Sequence, residues 1–168
     1  MDAELENKSN NYIQLEDNSD VLRLGIKDSK GNDTGEYLEF DLEDIELPLR
    51  YQEIIERDKK NRMELQNQLI IIEKKQDHKG KKLFSANEEA KIKAFRDFYR
   101  KEEEVYNMFL GKDGVKKLLN GRSLNWGALD AIDSIIEKQI MPHIKINAET
   151  IKEKIKNKYG NKVSDVIE

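Results

Sequence analysis

The apolar residues of this chain change their period once, near residue 44, and that switch divides the fold in two. Before it the period is two. Leu22, Leu24 and Ile26 alternate with Arg23, Gly25 and Lys27, and Leu38, Phe40 and Leu42 alternate with Glu39, Asp41 and Glu43. Successive side chains of a strand point to opposite faces, so each run offers one apolar face. Between the runs, residues 28–35 (DSKGNDTG) are dense in types that tolerate positive φ and turn the chain. The pattern predicts a β-hairpin over 19–43. A lone hairpin is marginal in water, so its apolar face must be covered by helices or by strands of another chain.

After the switch the spacings are three, four and seven, the signature of amphipathic helices. Pro48 suits a first helical turn, where its missing N–H costs little. Leu47, Tyr51, Ile54 and Ile55 fall on one side. The polar stretch 57–62 interrupts them, and apolar character returns at Leu65, Leu69 and Ile72, with Ile70 and Ile71 beside them. We expect a long helix over 46–75 that bends at its polar middle or carries it away from the body. A basic loop, 76–84, contains Gly80. Ser85 with Glu88 three residues on forms a capping box. The helix it opens runs to about Leu110, with a stripe of Ile92, Phe95, Tyr99, Tyr106 and Phe109, flanked by Phe98, Val105 and Met108. Gly111 stops it.

A short helix from Asp113 to Leu119 follows, ended by Gly121. The next spans about 125–144 and carries Trp126, Leu129, Ile132, Ile136, Ile140 and Ile144 on its apolar side, with Pro142 expected to kink or end it. Asn147 is placed to cap a last helix, with Ile151, Ile155 and Tyr159 stacked at intervals of four and Gly160 closing it. The expected fold is mainly α (α+β): an N-terminal β-hairpin followed by about five helices in an irregular helical bundle. The expected organisation is a disordered lead (1–18), the hairpin (19–43), a helical domain (44–160) and a frayed tail (161–168).

Composition narrows what such a chain does. Apolar residues make up 37% and charged residues 38%, against roughly 45–50% and about 25% in an average domain. The core is therefore expected to be thin, and burial against a partner or a second copy would add to stability. Charge is uneven: residues 1–47 carry a net −10 and residues 48–168 a net +6. Either the acidic front lies against the basic remainder or is solvated, or copies attract head to tail. The basic residues alternate with acids instead of forming one stripe, which argues against nucleic acid. The loop 78–82 and Lys152, Lys154, Lys156 and Lys158 are the segments that would favour it. No apolar run approaches a membrane span, and the N-terminus lacks the basic flank and apolar run of a signal peptide, so a cytoplasmic location is expected.

Catalytic constellations do not emerge. With no cysteine there is no disulfide, thiolate metal site or thiol nucleophile. The two histidines, His78 and His143, fall in a loop and at a helix end without a second ligand nearby in sequence. Asp28 and Glu39 have the outer spacing of a calcium loop, but Lys30 and Asp33 occupy positions that need an oxygen ligand and a glycine. Gly111 and Gly114 do not have Walker spacing. The run Glu102-Glu103-Glu104 beside Arg100 and Lys101 reads as a solvated face. We expect no catalytic residue, no metal and no cofactor, and take Phe95, Phe98, Tyr99, Tyr106, Phe109 and Trp126 as the partner-binding candidates.

One layout resembles a known family. A strand leads into an acidic helix entry, Glu39-Phe-Asp-Leu-Glu-Asp44 with Tyr51. A Ser-led helix carries Phe95-Arg-Asp-Phe98 to Phe109, and the turn Phe109-Leu-Gly-Lys-Asp-Gly114 follows. Next come a Lys-rich helix to Gly121 and an amphipathic segment from Trp126 to Ile136. Over about 36–140 this resembles the tail assembly chaperones of phages and prophages of Gram-positive bacteria. The chain departs from that family in having Leu110 between the Phe and Gly of the turn, a longer lead and hairpin, and an extra C-terminal helix. Carried over, Phe109, Gly111, Gly114 and Gly121 shape the turn. The resemblance implies a non-enzymatic protein of the bacterial host cytoplasm. It would bind the phage tape measure protein and keep it soluble until tail tube subunits polymerise around it; the alternative is another phage protein-binding module, a structural tail component or an inhibitor of a host protein.

Overall fold

The computed structural model describes residues 20–164, with side chains described through residue 158. The lead 1–18, residues 165–168 and the packing of Tyr159 lie outside the described residues. Strands β1 (Val21–Lys27) and β2 (Asp33–Asp41) form one antiparallel hairpin, with Leu22 opposite Phe40 and Leu24 opposite Leu38. Asp28 builds its turn: the Oδ1 atom accepts the backbone N–H groups of Lys30 and Asn32, both at 2.9 Å. The turn is shorter than the sequence suggests. β2 already begins at Asp33, and a register shift between Gly25 and Lys27 absorbs two extra residues of β2. Ile26, Leu38, Phe40 and Leu42 are buried, so helices cover the apolar face. Phe40 meets Phe109 of the helix α2 (Ala86–Leu110) with ring centroids 5.4 Å apart.

Helix α1 (Leu47–Glu73) starts on Pro48 and pairs along its length with α2. Asp44 braces its entry by accepting the backbone N–H of Glu46 and pairing with Arg50. The predicted capping box is present: Ser85 Oγ accepts the Glu88 N–H at 3.1 Å, and the Glu88 carboxylate accepts the Ser85 N–H at 2.7 Å. Gly111 caps α2 at φ 90°. Helix α3 (Gly114–Leu119) follows so closely that a Cβ on Gly114 would stand 2.5 Å from Leu110 Cβ. Leu110 is core. Asn120 and Gly121, both at positive φ, end α3.

The C-terminal half departs from expectation. Helix α4 (Trp126–Ile135) passes into a π turn (Ile136–Ile140) and then directly into α5 (Met141–Ser164). Pro142 does not end the helix, Asn147 lies inside it, and Gly160 does not close it. Residues 161–164 are helical, where a frayed tail was expected. Pro142 cannot donate a backbone hydrogen bond and its ring would clash with the carbonyl four residues back in a regular helix. The wider turn removes that conflict, and Met141 N–H donates to Ile136 O, five residues back. It also serves packing. Side chains four apart drift by about 40° per step on an α-helix. A π turn rotates less per residue, and Ile132, Ile136, Ile140 and Ile144 all stay buried in one row. Described helices thus number four continuous runs after the hairpin, near the expected five.

Candidate functional site

The candidate aromatics separate into two groups. Phe98, Tyr106 and Phe109 are buried core residues and cannot meet a partner. The true inward stripe of α2 is Ala94, Phe98, Glu102, Val105 and Phe109, rotated from the one expected. That rotation leaves Ile92, Phe95 and Tyr99 lining an open groove of about 750 Å³ beside α3, with Leu124 at its floor. Arg96, Arg100, Lys116 and Arg122 rim this groove. Most of that charge is already answered, since Arg96 and Arg100 approach Asp97 and Lys116 approaches Glu103. Trp126 is partly exposed, stacked on Phe98 with centroids 5.9 Å apart.

A second groove was not foreseen. It is about 650 Å³ in volume and runs between the β2–α1 corner and the outer face of α5. Ile45, Ile146 and Ile155 line it at 68%, 70% and 56% exposure, with Leu42 and Ile151 beneath. His143 and Lys154 stand on the α5 side, and Asp20 and Glu43 on the hairpin side. Single exposed apolar residues are ordinary, but three large ones around one concavity form a patch of the kind partners cover. In the sequence Ile151 and Ile155 mark one face of the last helix, while Ile45 and Ile146 belong to no periodic stripe and give no signal.

The polar middle of α1 neither bends away nor projects. Its inward stripe is Leu47, Tyr51, Ile54, Asp58, Asn61, Leu65, Leu69 and Ile72, so the stripe continues through the polar stretch. Asp58 and Asn61 face Glu102, which is fully buried. Asn61 Nδ2 donates to Glu102 Oε1 at 2.7 Å. Burial, with Asp58 alongside, pushes the Glu102 carboxyl up to about 7. Arg62 Nε donates to Asp58 Oδ1 at 2.7 Å, and its guanidinium lies 4.7 Å above the Trp126 ring. Tyr106 Oη donates to Asp133 of α4, and burial with the Asp133 carboxylate raises the phenol strongly. The sequence places Glu102 in a solvated carboxylate run; only its neighbours form that face, because Glu102 falls in the inward register between Phe98 and Val105.

What can these places do chemically? A cleft of about 260 Å³ is lined by the carboxylates Asp58, Asp133 and Glu137 beside Tyr106. Its hydroxyls are the phenols of Tyr51 and Tyr106; no serine, threonine or thiol lines it. Among the described residues no group of three His, Asp or Glu is arranged to hold a metal, and no helix is long and apolar enough to cross a membrane. The hairpin and helices leave two open apolar grooves on the surface of the described residues. No family model, no curated protein and no solved structure matches the chain.

Proposed function

We propose that this chain is a non-enzymatic protein-binding module that seats an amphipathic partner helix between the β2–α1 corner and α5. One observation carries it: Ile45, Ile146 and Ile155 are each more than half exposed around a single groove. An apolar helix face laid there would bury them, as in other helix-in-groove recognition. Lys154 and Glu43 on opposite walls would orient a helix carrying charges of both signs. The resemblance to tail assembly chaperones narrows the partner to the phage tape measure protein, a long, largely helical protein. On that reading the chain masks the partner's apolar length in the host cytoplasm until tail tube protein replaces it. The test is partner pull-down with Ile146→Glu against the control Met63→Glu, an exposed α1 position that lines neither groove. Binding should fall at least tenfold for the first and persist for the second. Equal binding by both would overturn the groove assignment.

A further inference from the structure

Glu102 is a full carboxyl side chain with no exposure, and only one of its two oxygens has a hydrogen-bond partner. Oε1 takes the Asn61 amide, while Oε2 has none, with the Asp58 carboxyl alongside. A buried polar atom without a partner is costly, and two neighbouring carboxylates cannot both ionise cheaply. One proton resolves both problems, because a protonated Oε2 becomes a donor to Asp58. The groups around this pair are few. α1 supplies Asp58, Asn61 and Arg62, α2 supplies Tyr106, and α4 supplies Asp133. Arg62 is the only cation among them, held by Asp58 at 2.7 Å and reaching Asp133 at 3.9 Å.

We propose that the α1–α2 seam is a one-proton device: a proton held between Glu102 and Asp58 locks the two helices, and its release draws Arg62 from Trp126 and loosens the seam. With the proton in place, Asp58 and Asp133 share Arg62. Without it, three carboxylates face that one guanidinium, and Arg62 must turn toward Glu102. The direction with pH follows from linkage. The folded carboxyl sits at about 7, above its ordinary value of 4.5. The folded chain therefore keeps a proton that the unfolded chain has released, and this contribution to stability is full below about pH 4.5 and lost as pH rises through about 7.

The chain carries its own reporter. Trp126 is its only tryptophan and lies under Arg62. We expect Trp126 emission of the full chain to change between pH 5 and 9 with a midpoint near 7. Glu102→Gln should hold the acidic-side emission throughout. The unfolding equilibrium constant of the wild-type chain should rise roughly 70-fold more between pH 5 and 8 than that of the variant. His78 and His143 remain in the variant, so any contribution of theirs persists there. A variant that titrates like wild type overturns the proposal, as does a wild-type emission that is flat over this range. Should Glu102→Gln fail to fold, the side-chain carboxyl ¹³C resonance of Glu102 in the wild-type chain decides. Titration near neutrality supports the device, and ionisation complete by pH 5 refutes it.

Discussion

Asn61 of α1 and Glu102 of α2 meet through a 2.7 Å hydrogen bond at the one level where both inward stripes turn polar. The α1–α2 seam is apolar above and below that level, at Ile54 and Leu65 on one helix and Phe98 and Val105 on the other. The two polar interruptions answer each other, which fixes the register of the helix pair: a slide by one turn would strand Glu102 against an apolar side chain.

Removing one half of that match should cost more than the bond itself. Asn61→Leu leaves Glu102 Oε1 buried without a donor, a penalty of about 1–3 kcal/mol. The Asn61 bond also favours the charged carboxyl, so its loss raises Glu102 further and makes the deficit larger at pH 8 than at pH 5. Urea denaturation at the two pH values measures both. Asn61→Leu combined with Glu102→Leu should recover part of the loss.

The turn between α2 and α3 makes a sharper demand. Gly114→Ala places a Cβ 2.5 Å from Leu110 Cβ, which must move although Leu110 is core. Overpacking of this kind costs about 1–3 kcal/mol. Gly111→Ala meets no neighbouring atom but is strained at φ 90°, and its cost should be nearer about 1 kcal/mol. Thermal melts of the two variants should rank Gly114→Ala as the less stable.

Local signals were legible in the sequence because neighbours in the chain decide them. The hairpin alternation, the Ser85–Glu88 box and the stops at Gly111 and Gly121 each depend on residues within a few positions. What depends on a second helix was not legible. The burial of Glu102 is set by Asp58 and Asn61, more than 40 positions earlier in the chain. The rotation of α2 that buries Phe98 and frees Phe95 and Tyr99 follows from the same pairing. Pro142 misled for a related reason: its local effect is real, but the row from Ile132 to Ile144 draws the helix through it as a π turn.

The cap of α2 offers a local check. Ser85→Ala removes the oxygen that accepts the Glu88 N–H and should cost about 1 kcal/mol. Hydrogen exchange should quicken in the first turn, residues 86–89, while the seam around Glu102 keeps its protection.

Co-expression with a phage tape measure protein, the partner proposed above, tests the central claim most directly, read as the soluble fraction of that protein and its co-elution at moderate salt. The account predicts that the wild-type chain keeps the tape measure protein soluble and elutes with it, and that Ile146→Glu does neither although it folds. A tape measure protein that aggregates equally with and without the wild-type chain, and never elutes with it, would contradict the account.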